Sequence, residues 1–135
     1  MNEIVRDWMT ANVISVGPTT SINEADEIMQ SKGIRRLAVI ENAELTGILS
    51  QGDVRAALAA TGPEPGNLTP APSVGTIMTP NPITISETAT IALAAKIMLQ
   101  LKVSGLPVVD DAGALRGILS ESDLFRYIVA QTLAA

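Results

Sequence analysis

The chain has 135 residues, 47% hydrophobic and 17% charged, with a formal net charge of -5 at pH 7. That length suits one compact domain or two small halves, and with 2% aromatic residues the core must be aliphatic. The acidic balance argues against nucleic acid or an anionic membrane as partner, because phosphate binding needs clustered Lys and Arg. The absence of Cys and His removes disulfides, thiolate nucleophiles, the usual zinc ligands and the commonest general base. No metal site and no catalytic residue is therefore expected, and the chain reads as a non-enzyme.

In chain order, "MNEIVRDWMT" has no basic leader followed by an apolar run, and no stretch reaches the ~18 apolar residues of a membrane span. The expectation is a soluble, cytoplasmic protein. "VISV" reads as a short extended segment. Ser21, followed three residues later by Glu24, is a capping box that starts a helix, with Ile22, Ala25, Ile28 and Met29 on one face. Gly33 closes that helix as a left-handed cap. "RLAVI" and "LTGILS", separated by "ENAE", read as a hairpin, and "DVRAALAA" as a second helix.

The Pro- and Gly-rich segment 59–73, "AATGPEPGNLTPAPS", cannot continue a helix or enter a sheet interior and reads as a linker. The pattern then starts again. "PITI" is extended, and Ile91, Ala94, Ile97, Met98 and Leu101 share a helical face. Lys102 stands where Gly33 stood and closes its helix less cheaply. "LPVVD" and "ALRGILS" flank the turn "DAG", and "DLFRYIVAQTL" forms the last helix.

A shift of 69 positions aligns residues 5–43 with 74–112, with identities at Met9/Met78, Thr10/Thr79, Ile14/Ile83, Ile28/Ile97, Met29/Met98 and Val39/Val108. One inserted residue near Gly113 then brings "GILSQGD" onto "GILSESD". The chain is an internal duplication, repeat 1 at 1–58 and repeat 2 at 74–135. Each copy is strand, helix, strand, strand, helix, an α/β (α+β) unit too small to cover its own sheet well. Two copies packed with pseudo-twofold symmetry, with a cleft on each side, are the expected architecture.

The repeated Ser50-x-x-Asp53 and Ser120-x-x-Asp123 admit two readings. As caps, a Ser and an acid at the third helical position satisfy orphan N–H groups and complement the helix dipole, contributing ~1 kcal/mol. As a ligand grip, each Asp would accept hydrogen bonds from a pair of sugar hydroxyls. Gly47 and Gly117, in the strands leading to the motifs, mark close approach of a ligand or of another backbone. Arg35 and Arg36 read either as a solvated, aggregation-resisting strand end or as candidates for a phosphate, whereas repeat 2 has Ser104 and Gly105 there. Four of the five methionines, Met9, Met29, Met78 and Met98, recur at equivalent positions and read as core gap-fillers. Trp8 has no repeated partner, and the sequence leaves its role open.

Both copies resemble cystathionine-β-synthase (CBS) domains in tandem, a Bateman module. The resemblance rests on the "MT" and "PITI" opening, the "LPVVD" strand with its turn, and the closing Gly-aliphatic-x-Ser-x-x-Asp. It implies a regulatory module binding AMP, ADP, ATP or S-adenosylmethionine in the clefts between repeats, with no required cofactor. Carried over by motif, one site combines Ser120 and Asp123 with Thr10, Val13, Ile14, Ile34, Arg35 and Arg36. The other combines Ser50 and Asp53 with Thr79, Pro82, Ile83, Val103, Ser104 and Gly105. The arginine-bearing site is expected to hold a nucleotide phosphate more tightly. Repeat 1 departs from the pattern at Ala11 and Ala38, where repeat 2 has Pro80 and Pro107. The resemblance also implies a homodimer and an effector protein as partner. The alternative is a ligand-free dimerisation or protein-interaction module whose Asp residues serve as caps.

Overall fold

The computed structural model describes residues 3–61 and 72–133, so most of the expected linker lies outside the described residues. Each repeat contains the predicted strand, helix, strand, strand, helix, preceded by a short helical turn that periodicity did not reveal. The chain divides into two compact units, 14–82 and 1–13 with 83–135. The core of repeat 1 is thus completed by the leading segment of repeat 2, and the core of repeat 2 by the leading segment of repeat 1.

In the 14–82 unit, β1 (Ser15–Val16) runs parallel to β2 (Arg36–Glu41), which pairs antiparallel with β3 (Glu44–Ser50). The fourth strand, β4 (Thr79–Pro80), pairs antiparallel with β3 and follows α3 (Val74–Ile77). The β2–β3 turn places Asn42 and Ala43 at φ 52 and 67, the left-handed pair that a two-residue hairpin favours because its twist matches that of the strands. Helix α1 (Ile22–Lys32) starts where Ser21 accepts from the Glu24 N–H at 3.1 Å, and ends at Gly33, φ 65. Its apolar face joins Val54 of α2 (Gln51–Thr61) in an aliphatic core of Ala25, Met29, Leu37, Val39, Leu49, Val54 and Val74. Val74 arrives from the leading segment of repeat 2, anchored by its N–H to the Thr20 carbonyl at 2.7 Å.

In the other unit, β5 (Ile85–Ser86) runs parallel to β6 (Gly105–Val109), and β6 pairs antiparallel with β7 (Leu115–Ser120). Segment 3–10 enters through a 3-10 turn at Val5–Asp7. The Val5 N–H donates to the Ala89 carbonyl at 2.9 Å, and Thr10 and Ile118 exchange both backbone bonds, at 2.9 and 3.0 Å. Val5 joins Ile85, Ile91, Ala94, Met98, Leu106, Val108 and Leu119 in the core.

Helix α4 (Ile91–Leu101) is capped by Thr90, which accepts from the Leu93 N–H at 3.1 Å, and ends at Lys102 with φ 57 and ψ 44. A lysine therefore takes the left-handed cap that repeat 1 gives to glycine, against its Cβ. Leu101, assigned to the core face by periodicity, is 46% exposed, because it sits in the last turn just before the chain turns away at Lys102. The last helix, α5, spans Glu121–Leu133. Met29 and Met98 are buried and Met9 and Met78 pack against the two cores, as gap-fillers do. Trp8 packs on the second core and meets Tyr127 edge-on, with ring centroids 5.4 Å apart. Among the described residues no helix is long and apolar enough to cross a membrane.

Candidate functional site

The strand glycines answer one of the two questions raised by the motifs. A Cβ on Gly47 would lie 2.4 Å from Met78 Sδ and 2.9 Å from the Thr79 carbonyl oxygen, and one on Gly117 would lie 2.7 Å from both Met9 Sδ and the Thr10 carbonyl oxygen. Each glycine admits the backbone of a leading segment. Their recurrence reflects strand-to-strand approach rather than a ligand against the strand.

The Ser-x-x-Asp residues do cap their helices, and each does so differently. In repeat 1 the Asp53 N–H donates to Ser50 Oγ at 3.1 Å, while the Ser50 N–H donates to Asp53 Oδ2 at 3.2 Å, a reciprocal box. Asp53 is half-buried, and among the described residues its Oδ1 accepts nothing. In repeat 2 the Ser120 N–H and hydroxyl both donate to Asp123 Oδ2, at 2.8 and 3.2 Å. The Arg126 guanidinium pairs with Asp123 Oδ1 and also donates to the Trp8 carbonyl oxygen at 3.3 Å. Asp123 is 2% exposed, the one buried charged side chain among the described residues. Both of its oxygens thus have donors, which satisfies a buried carboxylate. Arg126 was not singled out in the sequence, although its position three residues after Asp123 on a helix is the spacing at which opposite charges meet.

The remaining candidates fall into two groups. Ile14, Ile34, Arg35, Arg36, Ser50, Asp53, Thr79 and Pro82 belong to the 14–82 unit, and Thr10, Val13, Ile83, Val103, Ser104, Gly105, Ser120 and Asp123 to the other. Within each unit the hairpin register sets the end of the motif strand against the segment before the second strand. Arg36 is opposite Ser50, and the Gln51 N–H donates to the Arg35 carbonyl at 2.9 Å. Gly105 is opposite Ser120, and the Glu121 N–H donates to the Ser104 carbonyl at 3.1 Å. Within its own unit Arg36 is thus the cross-strand neighbour of Ser50. Arg35 is exposed and Arg36 half-buried, while Ile83 and Val103 expose apolar surface. Among the described residues no group of three acidic side chains is placed to hold a metal ion.

A second surface feature lies on the α4–α5 face. Met98, Leu99, Val103, Leu124, Phe125 and Ile128 line a groove of about 490 Å³, and Leu99 and Phe125 are 80% and 61% exposed. Among the described residues, the matching helices of repeat 1, α1 and α2, carry no such large exposed apolar side chains.

Comparison with known proteins gives these features a family. The CBS domain model matches twice, at residues 5–60 and 74–130. A CBS domain-containing protein of Dictyostelium discoideum is 30% identical over 135 residues, covering 96% of this chain and 93% of that protein. The inosine-5'-monophosphate dehydrogenase of Korarchaeum cryptofilum is 38% identical over 122 residues, but the chain spans only 22% of its length. Arabidopsis thaliana CBSX2, solved in complex with AMP, superposes with a TM-score of 0.80 at 30% identity, covering 97% of this chain and 99% of that one. The CBS domain pair of protein MJ0100, solved with 5-methylthioadenosine and S-adenosyl-L-methionine, gives a TM-score of 0.81 at 29% identity, covering 93% and 98%. With two matched repeats, a shared fold and the motif at the end of β3 and β7, the chain belongs to the CBS domain family as a tandem pair.

Proposed function

We propose that this chain is a regulatory module that senses an adenosyl ligand, AMP, ADP, ATP or S-adenosylmethionine, and is not itself an enzyme. The observation that supports it most is the end-to-end likeness to a CBS pair in complex with AMP, joined to a duplicated carboxylate at a helix start. In this reading Asp53 and Asp123 accept from the ribose hydroxyls. Ser50 and Ser120 orient those carboxylates, the residues carried over by motif contact base and phosphate, and Arg35 and Arg36 supply the cation that an acidic carboxylate cannot. Regulation requires the ligand to favour one state of the protein over another, which an effector protein then reads.

A thermal-shift panel of AMP, ADP, ATP and S-adenosylmethionine tests the reading. A ligand at a hundred times its Kd adds ~2.7 kcal/mol, a rise on the order of 10 °C for a chain of this size. No rise with any of them would overturn it.

The exposed apolar α4–α5 face favours a second reading alongside the first, a homodimer of the chain in the cytoplasm. A self-complementary apolar face meets itself in a twofold dimer, and a patch of this kind is uncommon on a monomer. If the ligand panel is negative and the dimer forms, the chain is an assembly module whose Asp residues are caps.

A further inference from the structure

Arg126 makes the two repeated carboxylates unequal in a way the motif does not show. At Asp123, Oδ2 takes two donors from Ser120 and Oδ1 takes the guanidinium. At Asp53, Oδ2 takes one donor and Oδ1 is open among the described residues. The residue three positions after Asp53 is Ala56, so α2 carries no cation at the place that Arg126 takes on α5. The guanidinium is itself held at a second point by the Trp8 carbonyl oxygen, which ties it to the leading segment as well as to the carboxylate.

We propose that Arg126 is an internal competitor for Asp123, occupying the carboxylate oxygen that a vicinal diol would need, so that Asp53 is the primary diol-binding carboxylate and Asp123 a guarded one. A diol is a neutral donor pair, and at Asp123 Oδ1 it must compete with a charge-assisted hydrogen bond. At Asp53 it meets an oxygen to which no described residue donates. Arg126 is thereby a specificity-determining residue, setting which of two otherwise repeated motifs fills first. This deepens the adenosyl-ligand reading and rests on it. It also reverses the order expected from the sequence, which gave the tighter site to the Asp123 set.

Isothermal titration with AMP and, separately, S-adenosylmethionine tests the inference on the full chain. The variants are Asp53→Asn, Asp123→Asn, Arg126→Ala, Arg126→Lys and Arg126→Ala with Asp123→Asn. Asp53→Asn should abolish the main binding event of the wild type, and Asp123→Asn should leave it. Arg126→Ala should add a second event, or strengthen the weaker one by about tenfold, the value of a charge-assisted bond. Arg126→Lys should restore wild-type behaviour, and the double variant should lose the gain. Because Arg126→Ala also leaves a buried carboxylate unpaired, its stability should fall while its affinity rises, whereas a purely structural role would lower both. Arg126→Gln, which keeps a neutral donor at Asp123, supplies the same comparison if truncation unfolds the chain.

Wild-type binding that survives Asp53→Asn and is lost in Asp123→Asn overturns the inference, as does an isotherm unchanged by every Arg126 substitution. Binding of neither ligand to any folded variant overturns the adenosyl-ligand reading as well, so the two failures are distinct.

Discussion

Replacing Gly117 with Ala tests the account of the strand glycines at a single atom. The added methyl would lie 2.7 Å from Met9 Sδ and 2.7 Å from the Thr10 carbonyl oxygen. The thioether can swing aside, but the carbonyl belongs to backbone that Ile118 holds through a pair of hydrogen bonds at 2.9 and 3.0 Å. Either segment 9–10 stays and the site is overpacked, at about 1–3 kcal/mol. Or it moves off and gives up both bonds, at about 1 kcal/mol each. Both routes come to about 2 kcal/mol, and at about 4 °C per kcal/mol for a chain of this size the melting temperature should fall by about 8 °C. Met9→Ala in the Gly117→Ala background should recover little, since the carbonyl is still in the way. Gly52→Ala is the control, because its Cβ would meet only Ser50 Oγ at 3.8 Å on an exposed helical turn. That change should raise stability by ~0.5–1 kcal/mol through the unfolded chain. Differential scanning calorimetry of both variants decides the matter. Equal melting temperatures for wild type and Gly117→Ala would show that the leading segment does not press on β7 as described.

Three further outcomes follow from the same geometry. Lys102→Gly should raise stability by about 1 kcal/mol, because it relieves a Cβ in the left-handed region; a loss in a urea titration would contradict that. Thr90→Ala removes the acceptor of the Leu93 N–H and should cost about 1 kcal/mol, read by thermal melting. Phe125→Asp, at a side chain 61% exposed, should leave the circular dichroism spectrum intact while shifting sedimentation from dimer to monomer. An unchanged sedimentation coefficient, with the wild type dimeric, would remove the α4–α5 face as the interface.

The order and kind of elements were legible because they follow local rules. Ser21 and Glu24 announce a cap, Gly33 a helix end, and aliphatic runs around short polar turns a hairpin, and each signal is written within a few residues of its effect. The leading turns at Val5–Asp7 and Val74–Ile77 were not legible, since three or four residues carry no period. Nor was the exchange of leading segments, which depends on contacts such as Thr10 with Ile118 across more than a hundred residues of chain. Gly117 shows the limit well. The sequence said that something comes close to it, and only the fold says that the something is Thr10. Arg126 shows the reverse, a charge at helical spacing from Asp123 whose significance depends on the carboxylate being buried, which spacing alone does not reveal.

The exchange of leading segments also sets an order of assembly on the ribosome. The 14–82 unit is continuous in sequence and is complete as soon as residue 82 has emerged. Val5, Met9 and Thr10 are made before the 14–82 unit but find their partners only after it, since β7 and α5 follow that unit in the chain. At synthesis rates of about 5–20 residues per second, these residues wait several seconds with their apolar side chains uncovered. Nascent chains halted before β7 should therefore hold a protected 14–82 core beside a leading segment 3–13 open to proteases and chaperones.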